Sequence, residues 1–212
     1  NINLSAISAG RIRNELSLPS VKSYPTGLTP MSLATYDAKH DGRPNLVLAN
    51  YNDSVLDVQT NDGKGVFARG ATLQVGKFPA CVIAPELFRD GRVSFVSADS
   101  GSDTLTVIPT NPAGTPQPSF TLAVGKSPMG VVAADVNGDG FPDLISANSG
   151  ENSLTVLLNN KTGNFVFNST LPVGVLPMSV AAADVNGDGR VDLISANSAD
   201  STLTLLMSRP GG

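Results

Sequence analysis

Short apolar or alternating segments, separated by turn residues, recur along the whole chain. The clearest group consists of Gly130–Ala134, Leu144–Ala147, Ser153–Leu158 and Phe165–Val173, with polar loops between them. Segments of this length that are rich in apolar and β-branched residues and bounded by Gly, Pro, Asn and Asp are typical of β-strands. No longer stretch shows the 3.6-residue periodicity of an amphipathic helix. The pattern therefore predicts an all-β chain.

The same group of segments repeats with a period of 49 residues. Four kinds of position hold this spacing without insertion or deletion, and they are Gly27, Gly76, Gly125 and Gly174; Pro30, Pro79, Pro128 and Pro177; Asp41, Asp90, Asp139 and Asp188, each followed by Gly; and Ala49, Ala98, Ala147 and Ala196. Four strands in a unit of roughly 45 residues are typical of a propeller blade. We therefore predict a β-propeller of four four-stranded blades, with repeats starting near residues 27, 76, 125 and 174.

The phase of the repeat also predicts how the propeller closes. Leu18–Pro25 aligns with the fourth strand of a blade, whereas the chain ends after a third strand, Thr202–Ser208. If the N-terminal outer strand completes the last blade, the ring closes and no sheet edge stays free. We thus expect a closed propeller over residues 17–208, an N-terminal extension with a possible extra strand over 1–16, and a tail over 209–212. A piece of a larger propeller would show the same phase, so that alternative stays open.

Two loops, in blades three and four, carry a dense set of oxygen side chains. Asp135–Asp143 and Asp184–Asp192 share the pattern D-x-N-G-D-G-x-x-D, in which glycine at position 6 permits a sharp turn. Positions 1, 3, 5 and 9 offer side-chain oxygens, and position 7 offers a main-chain carbonyl. Such hard ligands suit Ca²⁺ better than Mg²⁺ or Zn²⁺, so we predict two structural Ca²⁺ sites. The expected ligands are Asp135, Asn137, Asp139, Phe141 and Asp143 in one loop, and Asp184, Asn186, Asp188, Arg190 and Asp192 in the other.

These loops begin like an EF-hand but do not continue like one. Position 12 would need a bidentate glutamate, and here it is Ser146 or Ser195, within a predicted strand. No helices are expected on either side. A hydrogen-bonded Asp/Asn turn without a metal is the alternative to a Ca²⁺ site.

The corresponding loops of blades one and two have lost ligands. Lys39 stands where blade one needs an oxygen, and Phe88 stands there in blade two. We therefore expect no Ca²⁺ in either loop, and we expect the Lys39 ammonium to pair with Asp37 or Asp41.

The D-x-N-G-D-G-x-x-D-L-[VI] loop on a β unit of this length resembles the FG-GAP/VCBS repeat family, which includes the propellers of integrin α subunits. The resemblance covers residues 18–208, and its motif is complete in blades three and four. It implies Ca²⁺ held in β-hairpin loops on one propeller face, a secreted or cell-surface location, and an adhesive or scaffolding role. Seven blades are common in such propellers, so four blades are a departure.

Charge and motif content narrow the function classes. The net charge of −4 and the lack of a basic stripe argue against nucleic acid as a partner. No apolar run reaches the ~18 residues of a membrane span, so no membrane insertion is expected. The single histidine, His40, lies in a polar turn, and Cys81 lies in a predicted buried strand. Because the chain has a single histidine and no G-x-S-x-G, H-E-x-x-H or P-loop motif, we predict that it is not an enzyme.

What remains is a binding module. We expect an extracellular adhesion, scaffold or self-assembly module that binds a protein partner or copies of itself, and the alternative is a lectin that binds glycans. The lectin hypothesis is weakened because the chain has no repeated aromatic platform for a sugar. It has no Trp, and its three tyrosines, Tyr24, Tyr36 and Tyr51, all lie in blade one. Four N-glycosylation acceptor sequences are compatible with secretion in a eukaryote, at Asn3, Asn52, Asn160 and Asn168.

Overall fold

A computed structural model describes residues 21–37 and 39–209, and these residues contain strands and turns without a helix. Fifteen strands form four antiparallel sheets, each of which corresponds to one 49-residue unit. Blade one contains β1 (Pro30–Tyr36), β2 (Asn45–Asn50), β3 (Val55–Asn61) and β4 (Phe67–Gln74). Blade two contains β5 (Pro79–Ile83), β6 (Ser94–Asp99), β7 (Thr104–Pro109) and β8 (Phe120–Ala123). Blade three contains β9 (Pro128–Ala134), β10 (Asp143–Asn148), β11 (Ser153–Asn159) and β12 (Phe165–Pro172). Blade four contains β13 (Pro177–Ala183), β14 (Asp192–Asn197) and β15 (Thr202–Leu206).

The sequence prediction of all-β blades is confirmed at the level of strands and sheets. Each predicted strand of blade three appears within two residues of its expected limits, and Cys81 lies half-buried in β5. Every blade begins its first strand at the repeating proline, and the register shifts immediately after that residue. Proline is tolerated at the first position of a strand because its missing N–H is not needed there.

The hydrophobic core lies between consecutive sheets in three separate clusters. We call the face of a blade that contacts the next blade its front face, and the face that contacts the preceding blade its back face. In the second cluster, Leu105 and Val107 on the front face of blade two pack with Val131, Leu144 and Leu157 on the back face of blade three. The first strands β1, β5, β9 and β13 lie side by side in this order. Sheets stacked face to face around a row of inner strands form the architecture of a β-propeller.

The predicted closure of the ring is not present in the described residues. There, β15 pairs with β14 alone, so blade four has three strands, and no sheet or core cluster joins blade four to blade one. The predicted closing strand Leu18–Pro25 has no strand in its described part, residues 21–25. The extension over 1–16 lies outside the described residues, as does most of the tail, 210–212.

Local contacts explain why residues 21–25 do not complete blade four. The Tyr24 ring packs edge to face on Phe67 of β4, with centroids 5.6 Å apart, and its hydroxyl donates to the Gly65 carbonyl at 2.9 Å. The Gln59 side-chain amide donates to the Pro25 carbonyl at 2.9 Å. These contacts hold the segment against blade one.

A buried polar network repeats at the end of the second strand of each later blade. In blade three the Ser146 hydroxyl donates to Asn148 Oδ1, and Asn148 Nδ2 donates to the hydroxyls of Ser153 and Thr155. Ser195, Asn197, Thr202 and Thr204 form the same network in blade four. Buried polar groups are tolerated when they are paired in this way.

Blade one has lost this network. The side-chain atoms of Asn50 are buried and find no hydrogen-bond partner within residues 21–37 and 39–209. Leu48 replaces the serine, and Asp57 replaces the distal threonine. Asp57 instead accepts hydrogen bonds from Thr72 and Arg69.

Candidate metal centres

Both oxygen-rich loops join the first strand of a blade to the second. The blade-three loop runs from the end of β9 to Asp143, and the blade-four loop runs from the end of β13 to Asp192. Because the blades repeat, these loops and their counterparts in blades one and two lie at equivalent corners, on one face of the propeller. Gly138 and Gly140 adopt φ of 75° and 91°, in the region that glycine enters without strain. The turn that brings the oxygen side chains together thus depends on these glycines.

In blade three, the first three polar side chains bind main-chain amides of their own loop. The Asp135 carboxylate accepts from the N–H of Asp139 at 3.0 Å and of Gly140 at 2.7 Å. Asn137 Oδ1 accepts from the Asp139 N–H at 2.9 Å, and Asp139 Oδ1 accepts from the Phe141 N–H at 2.9 Å. This last hydrogen bond is the main cause that lowers the pKa of Asp139 below its ordinary value. The loop is therefore organised around ionised oxygens.

Asp143, the ninth residue of the loop, is fully buried at the start of β10. Its carboxylate accepts from the N–H of Asn159 at 2.8 Å and of Val136 at 3.0 Å. Burial raises the pKa of Asp143, and the negative charges of Asp139 and Asp135 raise it further against these two hydrogen bonds. Three carboxylates of one loop thus lie close enough to repel one another, which is the environment that a divalent cation relieves.

The blade-four loop repeats this arrangement. The Asp184 carboxylate accepts from the N–H of Gly187 and of Gly189, each at 2.7 Å, and the Gly189 hydrogen bond is the main cause that lowers the pKa of Asp184. Asp192 is buried and accepts from the N–H of Ser208 at 2.9 Å. Asn186 donates to Asp188 at 2.9 Å, which is the main cause that lowers the pKa of Asp188.

The donor set fits Ca²⁺, although the described geometry is that of a hydrogen-bonded turn. Within residues 21–37 and 39–209, no group of three His, Cys, Asp or Glu side chains is gathered closely enough to hold a metal ion. The carboxylates are engaged with main-chain N–H groups, as the Asp/Asn turn requires. Each carboxylate oxygen nevertheless has a second lone pair, so these hydrogen bonds leave acceptor capacity on both loops. The chemistry of the ligands, rather than their present spacing, favours a metal.

The loops of blades one and two adopt the same turn with fewer ligands. Asp37 accepts from the Gly42 N–H at 2.8 Å, and Glu86 takes this role in blade two, accepting from the Gly91 N–H at 2.7 Å. The expected ion pair of Lys39 with Asp37 or Asp41 is not formed among the described residues, where Lys39 is exposed. Since the hydrogen bond from the glycine N–H to the first carboxylate recurs in all four loops, the turn itself does not distinguish a Ca²⁺ loop.

The positively charged and capping residues around the loops were not anticipated from the sequence. Lys161 Nζ lies 3.5 Å from Asp139 Oδ2, and the Arg190 guanidinium lies 2.8 Å from Asp188 Oδ2. Asn159 caps Asp143 from the end of β11. The period of 49 residues could have revealed this last role, because polar residues recur at its position, namely Asn61, Thr110, Asn159 and Ser208.

The remaining candidate residues do not assemble a second site. His40 is exposed in its turn, and its ring Nε2 lies 3.0 Å from the Gly91 carbonyl oxygen. Each of the three tyrosines packs on a different phenylalanine, so the described residues gather no shared aromatic platform for a sugar. A cleft of about 340 Å³ opens beside the blade-one loop and is lined by charges of both signs, including Asp37, Lys39 and Arg43.

Three of the predicted glycosylation acceptors lie at exposed positions. These are Asn52, Asn160 and Asn168, and Asn3 lies outside the described residues. Exposure is what an acceptor asparagine needs, and their modification stays a prediction.

Solved structures with the same fold have diverse names. The chain is similar to BBS1N, solved in complex with ARL6DN, at 13% identity and a TM-score of 0.57, covering 86% of this chain and 57% of BBS1N. A candidate 6-phosphogluconolactonase of Bacteroides uniformis matches at 15% identity and a TM-score of 0.58, covering 87% and 58%. The periplasmic gluconolactonase PpgL of Pseudomonas aeruginosa matches at 18% and 0.54, covering 87% and 44%. The chain thus spans about half the length of the structures that it matches.

The prediction that the chain is not an enzyme is wrong. Two of these structures carry the names of lactonases, so this fold occurs in proteins named as enzymes, and the motif content of the sequence does not exclude enzyme activity. Because the sequence identities are low, these matches show that the fold is shared, and they show neither a reaction nor a substrate of this chain.

The repeat itself determines the family. No curated protein matches the sequence. The family model described as FG-GAP-like repeat matches residues 87–146 and 135–195. Together these matches span residues 87–195, or 109 of the 212 residues. This chain therefore belongs to the FG-GAP-like repeat family.

Proposed function

We propose that this chain is a Ca²⁺-stabilised propeller module that works outside the cell, as an adhesion or scaffold element that binds a protein partner or a copy of itself. The observation that carries the proposal is the pair of complete oxygen-rich loops at equivalent corners of adjacent blades. Each loop is anchored by a buried carboxylate, Asp143 or Asp192. Mobile turns with scattered acidic residues would not repeat this arrangement.

In this proposal the cation stabilises the fold and takes no part in a reaction. Asp135, Asn137, Asp139, Asp143 and the Phe141 carbonyl would hold one ion, and the equivalent five residues of blade four would hold the other. Bound Ca²⁺ would offset the repulsion among three carboxylates and tie the end of one strand to the start of the next. A ligand that binds only the folded state at a hundredfold excess over its Kd stabilises that state by about 2.7 kcal/mol.

The calcium proposal is tested by thermal unfolding with Ca²⁺ and with a chelator. We expect Ca²⁺ to raise the Tm, and calorimetric titration to give two sites. Asp139→Asn removes a charge but keeps the oxygen that accepts from the Phe141 N–H, so it should remove one site while preserving the turn. Asp188→Asn should remove the other.

Asp41→Asn in blade one is the matched control, because Asp41 Oδ1 accepts from the Arg43 N–H in the same way in a loop that lacks the ligand set. It should leave the effect of Ca²⁺ on the Tm unchanged. If chelation leaves the Tm of the wild type unaltered, the loops are Asp/Asn turns without a metal and the proposal fails.

The extracellular location is supported by the calcium proposal. Loops with three carboxylates and no bidentate glutamate would be filled best at the high Ca²⁺ concentrations found outside cells. A protein partner is supported by the BBS1N structure, in which a propeller of this shape is seen with another protein. Fractionation of the source organism, with an antibody against the chain, should place it in the secreted or surface fraction.

The lactonase names of two related structures supply the competing function. An assay for hydrolysis of gluconolactone and 6-phosphogluconolactone, with Ca²⁺ and with a chelator, separates the two functions. Turnover of either lactone by the wild type would replace the adhesion proposal. Leu105→Ala is the folding control, and it should lower the turnover only as far as it lowers the stability of the protein.

A further inference from the structure

A cleft of about 340 Å³ lies between blade one and blade two, beside the loop that joins β1 to β2. That loop forms one wall, and residues 113–116, in the turn that joins β7 to β8, form the opposite wall. The Asn111 side chain holds this turn, since its Oδ1 accepts from the N–H of Ala113 and of Thr115, each at 3.0 Å. A cleft of this volume between two ordered walls is large enough for a small molecule.

Tyr36 brings a hydroxyl without a partner to this cleft. The residue ends β1, is only 7% exposed, and packs its ring edge to face on the buried Phe95 of blade two, with centroids 4.8 Å apart. Within residues 21–37 and 39–209 no protein group forms a hydrogen bond with the hydroxyl, and burial alone raises the pKa of Tyr36 to about 12. The hydroxyl therefore stays protonated and can donate to a ligand, and a buried donor is costly to leave unpaired.

This tyrosine is not a requirement of the blade architecture. The repeat has Pro85, Ala134 and Ala183 at the corresponding positions of the other blades. Of the three tyrosines, Tyr36 alone lines the cleft. The hydroxyl is thus a feature of blade one in particular.

Two positively charged side chains, Lys39 and Arg43, border the same cleft without a counter-ion. Neither takes part in the ion pairs found in the described part of the chain. The Arg43 side chain lies against Gly63, where an added Cβ atom would come within 2.8 Å of Arg43 Nε. Asp37 and Asp41 also line the cleft, but their carboxylates accept from main-chain N–H groups of their own loop at 2.8 and 3.0 Å. The unpaired charges of the cleft are therefore positive.

We propose that the cleft between blades one and two binds a small organic acid, whose carboxylate lies between Lys39 and Arg43 and accepts a hydrogen bond from the Tyr36 hydroxyl. Guanidinium and ammonium groups form the strongest hydrogen bonds to carboxylates. Val58 and Ala71 supply apolar surface for the body of the acid. This inference goes beyond the proposed function and needs neither Ca²⁺ nor a protein partner.

The equivalent cleft between blades two and three lacks these features. It has a volume of about 430 Å³ and is lined largely by residues that lie 49 positions later in the chain. Phe88 stands there in place of the lysine, and the two cations that line it, Arg92 and Lys161, are paired with Asp90 and Asp139. The chain thus contains a comparison site with the same architecture and no unpaired charge.

Nuclear magnetic resonance titration of isotope-labelled protein, dialysed free of divalent cations, tests the proposal. The probes are lactate, malate and gluconate, with alanine as the counterpart of lactate that carries an ammonium in place of the hydroxyl. We expect the acids to give saturable shifts of amide signals around the cleft, and lactate to bind more tightly than alanine. Tyr36→Phe keeps the ring on Phe95 and removes only the hydroxyl, so it should weaken binding by about tenfold or more while the other amide signals stay in place. Arg43→Gln should weaken binding as well.

Arg92→Gln is the matched control, because Arg92 holds the repeat position of Arg43 in the comparison cleft, and it should leave binding unchanged. Three acids that give no saturable shifts overturn the inference, as does a Tyr36→Phe variant that binds them as tightly as the wild type. Equal losses in Arg43→Gln and Arg92→Gln overturn it too, because the net charge would then govern binding. Tighter binding of alanine would show that the loop carboxylates take part, and equal binding of inorganic phosphate would show a site for any anion; each result contradicts a carboxylate site.

Discussion

Asp99 is the only charged residue among four that share its position in the repeat. The other blades have asparagine there, at Asn50, Asn148 and Asn197. The Asp99 side chain is fully buried and accepts hydrogen bonds from the hydroxyls of Ser97 and Thr106. Burial raises the pKa of Asp99 and outweighs these hydrogen bonds, which lower it. The ionised carboxylate therefore destabilises the folded state relative to its protonated form.

Asp99→Asn should stabilise the protein at neutral pH. The pKa of Asp99 is higher in the folded state than in the unfolded state, so the protonated carboxyl favours folding. This contribution to stability is complete below the unfolded-state pKa and is lost as the pH rises through the folded-state pKa. The neutral side-chain amide of the variant does not ionise, so this stability is kept at neutral pH. The amide can also donate to Thr106, as Asn148 donates to Thr155. We expect the Tm at neutral pH to rise by about 2–4 °C, the change that ~1 kcal/mol causes in a chain of this size.

The pH dependence separates this cause from a general gain in packing. With a chelator present throughout, the Tm difference between Asp99→Asn and the wild type should shrink toward zero as the pH falls below the ordinary range of aspartate. Asp103→Asn provides the control, because Asp103 is exposed and lies in the next turn. A difference that is constant with pH would contradict the assignment.

At the scale of the elements, the strands could be predicted from the sequence, but whether the loops form Ca²⁺ sites or hydrogen-bonded turns could not. Strands such as β9 and β10 are bounded by Pro128 and by the glycine-rich loop, and these residues restrict the backbone directly. The loop composition, by contrast, supports both a Ca²⁺ site and a turn in which Asp135 binds the Gly140 N–H. The ion pair of Lys161 with Asp139 was also out of reach, because it joins turns from two hairpins of the blade.

Lys161→Gln should increase the Ca²⁺ affinity of the blade-three loop. The Lys161 ammonium lies 3.5 Å from Asp139 Oδ2 and would repel an incoming cation. Because both side chains are partly exposed, solvent weakens the effect, and we expect a gain of about two- to fivefold that declines as salt is added. Calorimetric titration of an Asp188→Asn background, in which only the blade-three site remains, measures it.

Lys126→Gln is the matched control for this variant. Lys126 is exposed near the opposite end of blade three, beside Gly150, and its removal changes the net charge equally. If both variants increase the affinity to the same extent, the net charge of the molecule rather than the ion pair with Asp139 governs Ca²⁺ binding.

At the scale of the whole molecule, the number of blades could be counted from the sequence, but closure could not be predicted. The repeat phase is the same for a ring closed by its own N-terminus and for a part of a larger ring. These differ in the angle between successive blades, which arises from sheet twist and from the packing of residues such as Leu105 against Val131. Contacts of this kind are set in three dimensions, and a one-dimensional period does not record them.

The same architecture makes stability a local property of each blade. Each blade contacts only its neighbours, so stabilising one blade affects distant blades weakly. The proposed Ca²⁺ loops belong to blades three and four, whose shared core is separate from the core between blades one and two. Removing Ca²⁺ should therefore increase amide hydrogen exchange in β9–β11 and β13–β15 far more than in β2, β3, β6 and β7, as mass spectrometry of peptides can measure. Asp41→Asn should leave this contrast unchanged, and Asp139→Asn should reduce it in blade three. A uniform increase in all four blades would mean that the propeller unfolds as one unit, and that its separate cores do not act independently.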